Sequence, residues 1–493
     1  MNTIKKVIFI SLLQIFSFQA YSQINTWRLV IDNNFDMAVY EIINNNNNEY
    51  LLTVRQNLPD SKYIKSIIYK INSSGLLTDS TLIQKTDTSI LASKIITKYD
   101  TVLFCLFYSD TINKSNAGFI LSKINNNLEL TEEKKFFFQK EFKKLSLFCD
   151  YGLDSNILVH GSYFNPNKPL MLIYETNLNF DSIQARLYPN AGAIFIFGIK
   201  QLTNKNFWLI RGVHSNYVLV DSSLNLISAE QGALPRWVSG NYGIKWDSDT
   251  SFYLAGDYIP DTKSSPRFTD HDIAFFHQFD PFDSTGVVFN SWGSHDTIDF
   301  PAYWSALDYQ NKDSIFIGAT KNLQITNPNF ANVNSWYVLL QTDSMLNVRW
   351  EHFYGGDAYY TLGKVTATKD GGCIMAGSRF DYKAHSGVRE RDIYIVKVNA
   401  EGLITNTHKH ENKFVHDAIV YPNPGSNNIQ VRVAMQHPRS VFRLFDISGQ
   451  LVMEHDINGK TAQFNTSFLK AGTYVYSITG KKGLNENGKW VKR

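Results

Sequence analysis

Between residues 60 and 400 the chain repeats one pattern of apolar and polar positions seven times. A short apolar run closes on Asn or Asp and turn residues follow at once: IIYKIN to Asn72, ILSKIN to Asn125, LIYETN to Asn177, VLVD to Asp221, FFHQFD to Asp280, VLLQTD to Asp343 and YIVKVN to Asn399. Successive copies lie 44 to 63 residues apart. A second apolar run keeps step with the first and mostly ends on a small residue. It reads NILVHG to Gly161, FWLIRG to Gly212, FYLAG to Gly256, IFIG to Gly318 and CIMAG to Gly377. YLLTV near Val54 and VLFCL near Leu106 fill the first two slots without glycine. Turn residues stand ahead of these runs at Asp100, Asp154, Asp249, Asp313 and Asp370-Gly371-Gly372, which is hairpin chemistry. Apolar runs this short and this close to turns are strands, and no segment sustains a 3.6-residue period.

The last full copy divides into strands at Leu362–Thr368, Cys373–Gly377 and Ile393–Val398, with a turn at Asn399–Gly402 leading to a fourth. Four-stranded units of about fifty residues predict a β-propeller or a stacked solenoid. A solenoid needs atypical end repeats and a ring does not, so a closed seven-bladed propeller is expected. Six or eight blades are the alternatives, because the first two copies diverge. Trp27–Ile43 parallels Trp350–Val365. Since Trp350 begins an outer strand, Trp27 is expected to begin one that completes the last blade. Closure of this kind removes an open sheet edge.

The two ends follow other patterns. Lys5 and Lys6 precede an apolar run from Val7 to Phe18, and Ala20 and Ser22 then place small side chains two apart. Residues 1–22 read as a signal peptide cleaved between Ser22 and Gln23, too short to span a bilayer. No later stretch is long and apolar enough to be a membrane span. The propeller is assigned to 23–408. The polar stretch HKHENKFVH carries His408, His410 and His416. It reads as a linker (409–416) rather than a metal site, because nothing fixes the histidine geometry. Residues 417–493 follow, with a strand alternating Ile429, Val431 and Val433 and a hairpin turning at Asp446–Gly449. Five or six short strands predict a small Ig-like β-sandwich, making the whole chain all-β.

Two resemblances rest on these residues. KDGGCIMAGS followed by RDIYIVKVNAEGLI resembles the repeat of long propellers in exported bacterial surface proteins, which implies a fold only. The second rests on Tyr421, Pro422, Asn423 and Pro424, then Asp446 and Gly449, then Leu469, Gly472 and Tyr474, and finally the basic end with Lys489 and Lys492. Together they are similar to the type A C-terminal sorting domain of the type IX secretion system. That resemblance implies passage to the periplasm and then across the outer membrane. It implies the type IX translocon and a sortase-like peptidase as partners, and a secreted or outer-membrane surface-attached product.

Composition narrows function less. Of 493 residues, 43% are hydrophobic and 19% charged, a globular balance. Lys and Arg number 48 against 45 Asp and Glu, a net charge of +3, which gives no field for nucleic acid. Three cysteines, Cys105, Cys149 and Cys373, are read as buried thiols, with a Cys105–Cys149 bridge as the alternative. No phosphate-binding glycine loop, HExxH, GxSxG or paired CxxC is present. Asp270, His271 and Asp272, with Asp257 and Asp261, gather in one long loop and could hold calcium, though not at EF-hand spacing. Asp32 to Asp36 and Asp247 to Asp249 are weaker cases, and no metal or cofactor is assigned.

In a propeller the loops between second and third strands share one face with the blade-to-blade connections. That face is expected to present Arg236, Trp237, Trp304, Tyr359, Tyr360, Arg379, Arg389 and Arg391, side chains suited to glycan or protein ligands. The functional expectation is a non-catalytic binding propeller. The alternatives are a propeller-based hydrolase or lyase acting on an extracellular polymer, and a structural component of surface machinery.

Overall fold

The computed structural model describes residues 26–493 apart from 34, 46–48, 58–63, 85–87, 99–100, 111–117, 138–143, 166–167, 190–195, 212–215, 232–237, 261–269, 281–282, 284, 295–296, 385–388, 406–408, 411–417, 434–439, 459–460 and 481–484. The expected signal peptide with Ser22 and Gln23, together with Arg236, Trp237, Asp261, His408 and His416, lies outside the described residues.

Seven antiparallel sheets follow one another along the chain, each pairing its strands in sequence order. Blades 1 to 6 span 36–83, 88–137, 144–189, 196–231, 238–292 and 300–355. Blade 7 takes its first three strands from Tyr359–Ala367, Cys373–Phe380 and Asp392–Val398. Its fourth strand is Trp27–Ile31, paired with the third in the register Trp27↔Lys397 to Ile31↔Ile393. The expected ring of seven closes through the N-terminal strand. One expectation is corrected here. The turn at Asn399–Gly402 forms, but among the described residues no outer strand of this blade follows it, because Trp27–Ile31 already occupies that edge. The next paired residues, Lys409–His410, run parallel beyond Trp27–Ile31.

The Asn or Asp closing each third strand has a specific task. In blades 1, 2, 3, 4, 6 and 7 its side-chain oxygen accepts the backbone N–H groups two and four residues on. Only a short side chain ending in an acceptor closes such a turn. The residue three positions on is then forced to positive φ, as in Gly75, Leu128, Phe180, Leu224, Leu346 and Gly402. Bulky residues disfavour this conformation by roughly 1–2 kcal/mol. Leu128, Phe180, Leu224 and Leu346 tolerate it because each is buried in the seam with the preceding blade. At Gly75 and Gly402 the same space is filled by Trp27 and Trp350 from the preceding blade's outer strand. Asp280 in blade 5 departs from the pattern and leads into a longer turn.

The small residues ending the second runs also have a physical reason. The innermost strands carry an extra residue between Val39 and Glu41, Ala92 and Lys94, Ile196 and Gly198, Asn241 and Gly243, and Leu362 and Lys364. Opposite the last of these bulges stands Gly377, where a Cβ would come within 2.2 Å of the Thr361 carbonyl oxygen. Bulges re-aim side chains, and here they turn Glu41, Lys94 and Lys364 toward the axis.

The C-terminal sandwich packs a sheet of Ala418–Tyr421, Asn428–Val433 and Thr461–Asn465 against one of four strands between Ser440 and Lys492. Its seven strands exceed the expected five or six. Cys149 and Cys373 are both buried.

Candidate binding face and channel

The expected ligand face is built by the loops that enter the third strands. Its best-described part joins the loops at 322–335 and 381–391. Tyr382 donates to Asn334 Oδ1 at 2.8 Å, Lys383 donates to Asn334 Oδ1 at 3.2 Å, and Arg391 donates to Asn329 Oδ1 at 2.6 Å. The Arg389 guanidinium lies 6.0 Å and that of Arg391 5.1 Å from the centre of the Phe330 ring, within cation–π reach. The two loops are therefore braced against each other.

Most of the expected face residues turn inward. Arg391 is bidentate to Asp36 of blade 1 at 2.6 and 3.0 Å, and so bonds the ring closure. Arg379 donates to Asp381 at 2.7 Å and to Asp392 at 3.4 Å, with Asp357 at 3.8 Å. Tyr360 donates to Asp357 and receives Arg379 Nε at 3.3 Å. Burial raises Asp392 first and neighbouring Asp32 adds to it, so its carboxyl reaches about 8 despite Arg379. Burial also disfavours charge on Asp381 and Asp357, but Arg379 and hydrogen bonds outweigh it and hold both low. Tyr359 and Tyr360 are buried, and the Tyr359 hydroxyl receives the Gln324 N–H. Of the eight expected ligand residues, Arg389 is the one that the described face leaves exposed.

Trp304 belongs to the channel. The inner strand of blade 6 is split into Phe300–Pro301 and Leu307–Asn311, and the residues between bond sideways to blades 5 and 7. This carries Trp304 to blade 1, where it stacks on Tyr40 at 4.5 Å and donates to the Val39 carbonyl at 2.7 Å. Below this pair lies a cavity of about 160 Å³, lined from the innermost strands of all seven blades. Asp150 and Trp246, near their strands' ends, place it toward the face of the Asx turns.

Two ion pairs cross blade boundaries in this cavity. Lys364 of blade 7 meets Glu41 of blade 1, and Lys94 of blade 2 meets Asp150 of blade 3 at 2.6 Å. His160 bonds the other Asp150 oxygen at 3.0 Å. Burial disfavours charge on Asp150, but Lys94 and His160 outweigh it and hold it low. Burial keeps His160 neutral, more strongly than Asp150 draws a proton to it. Sequence reasoning missed this set. Its trace was a charged residue at one phase of the apolar inner strands: Glu41 in VYEII, Lys94 in ASKII, Lys364 in LGKV.

At the acidic stretch weighed as a calcium site, His271 Nδ1 and Asp257 Oδ1 lie 2.8 Å apart. Burial opposes protonation of His271, but Asp257 outweighs it and raises the imidazole. Burial and the Asp270 charge raise Asp272 to about 6. Among the described residues no three His, Cys, Asp or Glu side chains converge as metal ligands.

The sorting residues meet across the sandwich. Asn423 donates to the Lys489 carbonyl at 2.7 Å and accepts the Val491 N–H at 2.9 Å. Trp490 is fully buried and donates to the Pro422 carbonyl at 2.7 Å. Thus the YPNP segment is zipped to the basic last strand, which presents Lys489 outward and turns Lys492 inward. Asp446 caps a turn built like those of the blades, with Gly449 at positive φ. Tyr474 and Leu469 pack in the core and Gly472 begins the strand paired to Lys492. Tyr421 is half-buried.

Residues 419–493 match the family described as the secretion system C-terminal sorting domain. No curated protein matches the chain. Among solved structures, the polysaccharide lyase Uly1 is 12% identical and aligns over 73% of this chain and 90% of its own, with a TM-score of 0.45. A catalytically inactive virginiamycin B lyase from Staphylococcus aureus is 11% identical over 76% and 99%, with a TM-score of 0.42. A protein of unknown function from Bacteroides caccae is 14% identical over 65% and 94%, with a TM-score of 0.36.

Proposed function

From the premise that this seven-bladed propeller carries a type IX secretion sorting domain and is a secreted or surface-attached protein, we propose that it binds an extracellular glycan or protein without transforming it. The observation that carries the reading is the braced face. Two long loops hold each other through Asn334 and Asn329. The Asp381 and Asp36 carboxylates are already engaged, with Arg379 and Arg391 respectively. Preorganised loops lower the ordering cost of binding, and engaged carboxylates are poor candidates for acid–base work. Arg389 and Lys383, exposed beside Phe330 and Tyr382, are the contacts assigned to the ligand. The sorting domain is proposed to be removed by a sortase-like peptidase after outer-membrane transit.

The test is a glycan-array and pull-down screen with the mature chain, beside an Arg389→Glu/Lys383→Glu variant. Saturable capture lost in the variant supports the reading. Capture unaffected by the double charge reversal, or no capture at all, counts against it.

A second reading, a hydrolase or lyase, is favoured by the Asp257–His271 pair, whose Nε2 is buried with no partner among the described residues. Release of oligomers from a polymer, abolished by His271→Ala at unchanged melting temperature, would establish that reading instead.

A further inference from the structure

We infer that the channel cavity is a binding site for a single neutral sugar ring. The inference rests on the binding reading above and places its recognition chemistry in the channel rather than on the outer loops alone.

Size sets the first limit. One water needs roughly 10–15 Å³ of such space, so a cavity of about 160 Å³ matches roughly a dozen heavy atoms, one pyranose with its hydroxyls. Its walls set the second. Tyr40 and Trp304 form a stacked aromatic slab on one side, and Phe148 and Trp246 line it as well. Aromatic faces beside polar groups suit the C–H face and hydroxyl rim of a sugar.

Charge sets the third. Lys364 pairs with Glu41 and Lys94 with Asp150. Each pair sums to zero when both partners are charged, and burial, by drawing Lys364 down to about 7, leaves no spare cation for an anionic ligand. A uronate or phosphate would face Glu41 and Asp150 as closely as the two lysines, and a cationic ligand would meet the reverse conflict. A neutral polyol can instead accept from the lysines and donate to the carboxylates at once, in charge-assisted hydrogen bonds.

One group asks for a partner. The Trp246 indole N–H is buried and has no hydrogen-bond partner among the described residues, although its residue lines the cavity. A buried donor left unmatched is costly, and a sugar hydroxyl would satisfy it.

The experiment is calorimetry and saturation-transfer NMR on the mature chain with D-glucose, D-galactose and N-acetyl-D-glucosamine, against D-glucuronate and D-glucosamine. We expect saturable binding of at least one neutral sugar and at least tenfold weaker binding of both charged analogues. Trp246→Phe, which keeps a ring and removes the N–H, should weaken binding roughly fivefold, the factor for one hydrogen bond. Tyr40→Ala should abolish it. Both variants should retain the wild-type circular dichroism. Absence of neutral-sugar binding overturns the inference. So does equal binding by folded Trp246→Phe and Tyr40→Ala, or preference for a charged analogue. If the sugars fail while a polymer or protein is still captured and lost in the Arg389/Lys383 variant, the channel assignment falls and the binding reading stands.

Discussion

The indole of Trp27 lies against the backbone of Gly75, so that a Cβ at Gly75 would come 2.5 Å from Trp27 Cδ2. Trp27 also donates to the Ser73 carbonyl at 3.0 Å. One residue begins the strand that closes the ring, and the other sits in the turn of blade 1 at φ 87°. Trp350 stands in the same relation to Gly402, 2.8 Å from a Cβ there. Gly75→Ala adds backbone strain to this clash and should lower stability by about 2–4 kcal/mol. Trp27→Ala leaves a void at the closure and should lower it by about 3–5 kcal/mol. Urea unfolding of the mature chain measures both, and a loss under about 1 kcal/mol for Trp27→Ala would contradict this account of closure.

At Leu346 the same turn uses the opposite solution. Its φ is 62° and its side chain is fully buried between blades 5 and 6. Leu346→Gly relieves strain but empties the seam, and the void dominates, with a net loss of about 1–3 kcal/mol. Asp343→Ala removes the acceptor for the Met345 and Asn347 N–H groups and should cost about 1–2 kcal/mol. Asp343→Asn, which keeps that oxygen, should recover most of the loss.

Asp392 gives stability a pH dependence. Its carboxyl is raised to about 8 in the fold, first by burial and then by Asp32, against about 3.9 in an unfolded chain. Between about pH 4 and pH 8 the folded protein holds a proton that the unfolded chain has released. Its contribution is therefore complete below pH 4 and is lost as pH rises toward 8, by at most ~1.4 kcal/mol per unit. Asp392→Asn keeps the neutral shape without the proton. Denaturation midpoints at pH 5 and pH 8 should fall less in the variant than in the wild type. Parallel falls would show that Asp392 is ionised in the fold.

Export should depend on Trp490. The ring fills the sandwich core and ties Pro422 to the last strand. Trp490→Ala should unfold the domain, at about 3–5 kcal/mol, and leave the protein in the periplasm. Trp490→Phe keeps most of the packing and should preserve export at reduced domain stability. Fractionation of cells and medium checks both. Normal export of Trp490→Ala would mean that the folded domain is not what the translocon reads.

Sequence alone determined the repeat and pointed to the ring closure, because both depend on local chemistry, while it favoured seven blades with six and eight left open. Asn and Asp recur where a five-residue turn needs a side-chain acceptor, and the positions three residues later alternate between buried Leu or Phe and Gly. The parallel between Trp27 and Trp350 was legible because both fill the space over a turn glycine in the following blade. The sorting motif was equally legible, since its residues are spaced by strands and turns. Tertiary structure decided what faces a ligand. Arg379, Arg391, Tyr359 and Tyr360 are the residue types of a recognition surface, yet ion pairing and burial draw them into the seams. The channel set of Glu41, Lys94, Asp150 and Lys364 comes from four blades hundreds of residues apart in part. Only closing the ring brings Lys364 to Glu41, and no local pattern encodes which charges of separate blades will meet around an axis.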